Sequence, residues 1–342
     1  MRDAPLRVGL IGAGMISPYH LRAWSRVPRA QVVAICDADR GRAAARAREF
    51  GVMAVHGDAA AMLAQENLDA VDIASPRECH ADHVRLAAAR GLAVLCQKPL
   101  TPTLDEAVAL VAEVTARCRL MVHENWRFRP NYRQAKQWLE EGRVGTIRSA
   151  RIVMRASGFL PDAEGNYPSI VRQPFMATER RLFVAESFIH QMDVMRWLLG
   201  PMQVIAARLG RVCPAVVGED SAAIVAATQD GLLVTMDGDG AAPGYGARSS
   251  EELEIVGTRC TLRFADLKLS LSGAETESIA YDRDAIYQAS FDACIRHFVE
   301  CLASGAPFET APADNLETLR LVEDTYRLAG HVRDLAKRLE MR

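Results

Sequence analysis

Residues 6–27 read LRVGLIGAGMISPYHLRAWSRV: a short apolar run, a turn with glycines at 12 and 14, then a stretch with helical spacing. A buried strand that breaks at a glycine turn and leads directly into a helix is the opening unit of a parallel α/β sheet. The rhythm continues downstream. AQVVAICD (30–37) reads as a second buried strand, and RGRAAARAREFG (40–51) as an Ala/Arg helix closed by Gly51. LDAVDIAS (68–75), LAVLCQKP (92–99) and RLMVHENW (119–126) are three more apolar strands, with helical stretches at 81–90 and 103–117 between them. Apolar strands alternating with helices predict a doubly wound parallel sheet.

After residue 126 the pattern changes. PNYRQAKQWLEEG (130–142) has helical spacing, and longer strands follow at 146–158, 202–212, 220–231, 231–240 and 251–266 with only turns between several of them. Such a succession predicts a mostly antiparallel sheet. Two helices, at 288–304 and 314–339, close the chain. The expected division is therefore a doubly wound domain over 1–124 and a second α/β domain over 125–342, whose last helices are free to pack back on the first.

Composition narrows the function. The chain has 342 residues, 49% hydrophobic and 25% charged, with a net charge of −2. That balance gives no electrostatic case for nucleic acid or an anionic membrane. No apolar stretch approaches the ~20 residues that span a bilayer. The N-terminal MRDAPLRVGLIGAG enters a strand with no signal-peptide core, and eight scattered cysteines show no CxxC. The expectation is a cytoplasmic protein with reduced, mostly buried thiols and no structural zinc.

Three signals lie at strand ends. In GAGMIS (12–17), Gly12 suits the tight turn and Gly14 lets backbone approach a pyrophosphate seated on the helix N-terminus; Ser17 stands where the usual fingerprint has a third glycine. Met15 and Ile16 fall at the mouth of that helix. Asp37 ends the second strand 23 residues beyond Gly14, near the ~20 expected for the acid that binds the adenosine ribose. A carboxylate there favours NAD over NADP; Arg40 and Arg42 follow and leave NADP as the alternative. In ASPRECH (74–80), Ser75 and Pro76 break the strand at the carboxyl edge where such sheets bind ligands, and His80 starts the next helix. In CQKP (96–99), Gln97 and Lys98 reach the same edge, with Pro99 holding the preceding residue extended.

Together, GAGMIS, DAVDIASPRECH, CQKP, WRFRPNYRQAKQWLEEGRVGTI, ESFIHQMDVMRWLLG and DNLETLRLVEDTY, in this order, resemble the Gfo/Idh/MocA oxidoreductases over nearly the whole chain. The resemblance implies an N-terminal Rossmann domain and a C-terminal α/β domain with a large open sheet that supports a homodimer or homotetramer. It also implies NAD(P)-dependent oxidation or reduction of a sugar or polyol. VLCQKP, HENWRF, RQPF and GED resemble most the D-apiose dehydrogenase group, implying a sugar oxidised at its anomeric carbon to a lactone. Two positions depart from the family pattern. Gln97 replaces the usual Glu before Lys98, and Glu186 replaces the usual Asp four residues before His190.

On a helix over 183–199, Glu186 and His190 share a face. The expected mechanism has His190 as general base, Glu186 orienting it, and Lys98 binding the same substrate oxygen and relaying the proton while a hydride passes to NAD⁺. Asn125, Arg127, Arg172 and Gln173 are the candidate substrate contacts; Trp126 is expected at the domain interface and Asp193 in a structural role. No HExxH or comparable ligand spacing joins Glu186, His190, His123 and Glu124, so no metal is expected. The competing readings are a hydrolase or lyase that oxidises its substrate transiently and returns the hydride, and a non-catalytic NAD(P) sensor.

Overall fold

The structure is a computed structural model that describes residues 4–340, with side chains described through residue 330. The first half follows the alternation read from sequence: β1 (Leu6–Ile11), α1 (Ser17–Ser25), β2 (Ala30–Cys36), α2 (Arg40–Phe50), β3 (Ala54–His56), α3 (Ala59–Gln65), β4 (Ala70–Ile73), α4 (His80–Ala88), β5 (Ala93–Gln97), α5 (Leu104–Val114) and β6 (Leu120–His123). The strands form one parallel sheet in the order β3-β2-β1-β4-β5-β6. Chain direction across the sheet reverses between β1 and β4, and that switch point opens a crevice at the carboxyl ends.

Local chemistry sets the helix ends. Asp39 caps α2 by accepting from the Arg42 N–H at 3.1 Å, and Gly51 ends it in the left-handed region at φ 70°. Asp58 caps α3 through the Ala61 N–H at 2.7 Å, and Thr103 caps α5 through the Glu106 N–H. β3 and α3 are additions to the sequence reading. AVH offers only three residues of ladder, too short for an apolar run to be recognised.

The chain continues with α6 (Pro130–Glu140), β7 (Ile147–Arg155), α7 (Pro168–Arg172), α8 (Ile189–Leu199), β8 (Met202–Gly210), β9 (Ser221–Thr228), β10 (Leu233–Asp239), β11 (Ser250–Gly257), β12 (Cys260–Ala265), β13 (Lys268–Gly273), β14 (Glu277–Ala280), α9 (Arg283–Ser304) and α10 (Pro312–Glu340). Its eight strands run β14-β13-β12-β11-β7-β10-β9-β8, antiparallel throughout except for the β7–β10 pair. Residues alternate between buried and exposed along β9 and β10, the signature of a sheet covered on one face.

Two compact units result: residues 1–128 with 287–317, and residues 129–286 with 318–342. In the first, Phe291, Cys294, Ile295 and Phe298 of α9 pack with Val8, Ala70, Leu95 and Met121 of the parallel sheet. The opposite side of β1 and β2 uses Leu10 and Ile35 against Ala43 and Ala47 of α2. The β6 edge is covered as well, because Thr310 hydrogen-bonds both backbone groups of Val122, at 3.0 and 2.6 Å. No helix among the described residues is long and apolar enough to cross a membrane.

Candidate functional site

In the first unit, β1 delivers the chain to Gly12 at φ 104°. A Cβ there would lie 2.5 Å from the carbonyl carbon and oxygen of Ala74, so only glycine lets β1 and the end of β4 approach this closely. Gly14 is different. A Cβ on it would meet nothing within 4 Å, leaving open space over the backbone at the entrance to α1. Ile16 is the N-cap of α1 and supplies no side-chain cap; the first turn carries no acidic residue, and Met15 is 39% exposed. An uncapped helix N-terminus beside an open glycine is what an anionic pyrophosphate needs.

Asp37 sits at the end of β2 with both carboxylate oxygens engaged. Oδ2 accepts from the Ala13 N–H at 2.8 Å and Oδ1 from the Asp39 N–H at 2.8 Å. The acid is thereby fixed beside the glycine turn. Arg42 approaches Oδ1 at 3.7 Å with half its side chain in solvent. Arg46 reaches back from α2 to donate to Ser17 Oγ at 3.2 Å, and Ser17 Oγ donates to the Gly14 carbonyl at 2.7 Å. The Ser17 position thus ties α2 to the start of α1. These features fit a dinucleotide: an open glycine, an uncapped helix mouth and a preset carboxylate.

The next strand ends converge on one turn. Half-buried Ser75 follows β4 with its hydroxyl 3.0 Å from His83 Nδ1, and Pro76 is exposed beside it. Burial holds the His83 imidazole below its usual pKa. His80 starts α4 as expected; it is buried, with Nδ1 2.8 Å from the Pro99 carbonyl oxygen and Nε2 2.9 Å from that of Ser75. It bridges the ends of β4 and β5 at the turn that carries Lys98. The Lys98–Pro99 bond is cis. Lys98 is half-buried, and its backbone N–H donates to Gln97 Oε1 at 3.1 Å. Gln97 is itself buried among His20, Asp72 and His123, a polar cluster absent from the sequence reading.

After β6, Asn125 and Arg127 turn inward within the same unit. Asn125 donates to Ser290 Oγ at 2.7 Å, and Arg127, 1% exposed, pairs with Asp314 at 2.8 Å. Trp126 meets the Tyr287 ring edge-on at 5.8 Å.

In the second unit, the segment expected as one α-helix over 183–199 has two parts. Residues Phe183–Phe188 form a π-helical turn, and α8 begins only at Ile189. Glu186 therefore belongs to the wider turn and His190 to the α-helix, so the fourfold spacing does not by itself align them. π turns are uncommon and frequent at functional sites. Two features hold this one. Glu219 accepts from the Leu182 and Val184 N–H groups at 3.4 and 3.1 Å and from the Tyr326 hydroxyl at 2.5 Å. The Phe183 and Phe188 rings stack at 5.6 Å over Gly238 of β10, where a Cβ would strike Phe183 at 2.4 Å. Burial, then the neighbouring Glu219 charge, push the Tyr326 hydroxyl well above its usual pKa.

His190 is 7% exposed at the first turn of α8, while Glu186 is half-buried. Gln191 donates to Glu251 Oε1 at 2.6 Å, and the same carboxylate takes Arg129 at 2.8 Å and Tyr132 at 2.9 Å. Asp193 accepts from Thr318 at 2.8 Å, anchoring α8 to α10 in the role expected of it. Glu219 and Glu251 are the anchors that sequence reasoning missed. Glu219 was visible only within the GED motif, and Glu251 reads as an ordinary polar strand position. Arg172 and Gln173, at the end of α7, are exposed and half-buried respectively. Among the described residues, no group of three or more His, Cys, Asp or Glu is placed to hold a metal ion.

Comparison with known proteins agrees with this geometry. A family described as oxidoreductases with an NAD-binding Rossmann fold matches residues 6–124, and the GFO/IDH/MocA C-terminal domain matches residues 132–263. A D-apiose dehydrogenase of Paraburkholderia graminis is 37% identical over 336 residues, covering 93% of this chain and 86% of the relative. One from Rhizobium rhizogenes is 33% identical, covering 97% and 98%. The solved structure of an Agrobacterium radiobacter oxidoreductase, in complex with NAD⁺, L-tartaric acid and magnesium, superposes with a TM-score of 0.88 at 31% identity. It covers 96% of this chain and 97% of that one. The glycine turn, the fixed carboxylate and these relationships lead to one conclusion: the chain belongs to the GFO/IDH/MocA family of oxidoreductases, with an NAD-binding Rossmann domain at its N-terminus.

Proposed function

We propose that the protein is an NAD-dependent dehydrogenase of a sugar or polyol, with Lys98 and His190 as its proton-transfer groups. The observation that carries this reading is the carboxyl edge of the parallel sheet. There the open Gly14, the uncapped α1 and the doubly held Asp37 share one edge with the turn bearing Lys98. The two D-apiose dehydrogenases among the relatives support a sugar, with D-apiose the first to test.

Gly12, Gly14, Met15 and Ile16 would seat the pyrophosphate. Asp37 would hold the adenosine ribose diol and disfavour a 2′-phosphate. Ser75, Pro76, His80 and Gln97 would shape the edge that receives the cofactor's other half. When bound, NAD⁺ supplies the hydride acceptor, and the protein supplies geometry and proton transfer. His190 takes the proton of the reacting hydroxyl, with Glu186 orienting the imidazole. Lys98 hydrogen-bonds the reacting oxygen and relays the proton. Arg172 and Gln173 are the substrate contacts offered by α7, and Asn125 and Arg127 act through the scaffold they brace. Eight cysteines without a disulfide suit a reducing compartment. The open sheet is the proposed oligomer surface.

The test is direct. The purified protein is mixed with NAD⁺ or NADP⁺ and a panel of pentoses, hexoses, inositols and D-apiose, and formation of NADH or NADPH is followed by absorbance. One sugar should respond, with NAD⁺ preferred. His190→Ala should lower kcat by roughly 10²–10⁴-fold with NAD binding retained. No NADH with any sugar, from protein that carries tightly bound NAD, would replace this reading with transient oxidation or sensing.

A further inference from the structure

The Gln97 side chain is the hub of a buried polar chain that lies wholly within the first unit. Its Nε2 is 2.9 Å from His20 Nε2 and 3.1 Å from His123 Nδ1, and its Oε1 accepts from the Lys98 N–H at 3.1 Å. On the far side of His20, Nδ1 lies 2.7 Å from Asp72 Oδ2, which also accepts from the Trp24 indole N–H at 2.7 Å. His20, Asp72 and His123 are fully buried and Gln97 is 8% exposed. The two imidazoles lie 4.4 Å apart, and the Phe291 ring of α9 covers both, at 5.3 and 5.1 Å.

Hydrogen-bond chemistry leaves one proton arrangement. A backbone N–H only donates, so the amide oxygen must face Lys98. The amide nitrogen then faces both imidazoles, and each facing ring nitrogen must accept. His20 therefore carries its proton on Nδ1, directed at Asp72, and His123 carries its proton on Nε2. Each ring holds one proton and is neutral. The charge stays on Asp72; besides burial, that charge raises the neighbouring Cys96 thiol.

We propose that Gln97 is a positioning residue that holds the backbone of Lys98 and, through the same amide, keeps His20 and His123 singly protonated. The inference rests on Lys98 being a working group of the proposed reaction. Its proton-state content stands on the geometry alone. The titratable groups of the cluster are His20 on α1, Asp72 on β4 and His123 on β6, with Cys96 on β5 close enough to feel the Asp72 charge; Lys98 and Glu124 follow Gln97 and His123 in the chain. α9 presents the Phe291 ring. A second proton on either ring would set N–H against N–H. The amide would then have to rotate, and its nitrogen would face the Lys98 N–H that it now holds. A carboxylate at position 97 reverses the requirement: it accepts from Lys98 equally well, but it asks both imidazoles to donate.

The full-length protein, ¹⁵N-labelled at histidine and at backbone amides, tests this by NMR without reference to turnover. At neutral pH, long-range ¹H–¹⁵N correlations should show the Nδ1–H tautomer for His20 and the Nε2–H tautomer for His123. Assignments come from substituting one histidine at a time. Gln97→Glu should lose the single-proton signature of at least one of the two rings at the same pH, while Lys98 amide protection is retained. Gln97→Met, which keeps the shape and removes the acceptor, should speed exchange of the Lys98 amide about tenfold, the scale of one ordinary hydrogen bond. A doubly protonated His20, or its Nε2–H tautomer, in the parent protein would overturn the inference. So would a Gln97→Glu protein with both rings still singly protonated, or a Gln97→Met protein with Lys98 exchange unchanged. If the tautomers are as expected yet no sugar is oxidised, the inference stands and the dehydrogenase reading falls.

Discussion

A side chain on Gly12 would run into the Ala74 carbonyl, whereas one on Gly14 would point into open space. Two glycines one residue apart thus have separate reasons to be glycine, and substitution separates them. Gly12→Ala places a Cβ at φ 104° and 2.5 Å from backbone, so it should lower the melting temperature, with at least ~1–2 kcal/mol lost to backbone strain alone. Gly14→Val should melt like the parent and bind NAD at least tenfold more weakly by titration calorimetry. Equal stability losses for both would remove the claim that Gly14 leaves room for an external group. Asp37 belongs to the same scale. Two backbone N–H bonds hold it before any ligand arrives, so Asp37→Ser should weaken NAD binding and narrow the preference over NADP.

At the scale of elements, the π turn before α8 governs where Glu186 stands relative to His190. A wider turn leaves backbone groups in need of partners, and the Glu219 carboxylate answers by accepting two N–H groups at its start. Tyr326 completes the set from α10. Tyr326→Phe removes one hydrogen bond to a buried charge, so chemical denaturation should register a loss of about 1.5–3 kcal/mol. The proposed role of Glu186 predicts a fall in kcat as the turn relaxes, with KM for NAD little changed because the dinucleotide features lie in the other unit. A variant with lower stability but the parent's kcat would detach the turn from catalysis. α8 is anchored independently by Gln191 to Glu251 and by Asp193 to Thr318, so the helix should persist when the turn loosens.

For the whole molecule, the buried acids that lose protons at high pH set an alkaline limit. Burial is the leading cause that pushes the Cys36 thiol from 9.0 to about 11, with Asp58 and Asp37 adding to it. Burial likewise raises Tyr132, reinforced by Glu251, and Tyr326, reinforced by Glu219. Between pH 9 and 11 the folded Cys36 keeps its proton while the unfolded chain loses it. The unfolded state then binds fewer protons, so stability falls as pH rises. The two tyrosines extend the fall above their ordinary value of 10.0. Melting temperature should therefore begin to drop near pH 9, and Cys36→Ala should remove part of that early slope. A profile flat to pH 11 would contradict the burial assigned to these groups.

The sequence by itself determined the alternation of strand and helix, the glycine turn, the acid at the end of β2 and the change to an antiparallel sheet. Each is written in local pattern: apolar runs bounded by breakers, and residues whose backbone or charge has few other uses. Only the tertiary structure decided the rest. β3 is three residues long, and β13 and β14 carry no long apolar run, so they exist because a neighbouring strand pairs with them. The π turn conforms to Glu219 and to the packing of Phe183 and Phe188 on Gly238, contacts made by residues 35 to 55 positions away that no helical period encodes. The Gln97 cluster joins α1, β4, β5 and β6 at separations of 26 to 77 residues. A single chain position states which groups a side chain carries; which partners complete its hydrogen bonds is set only when the elements pack.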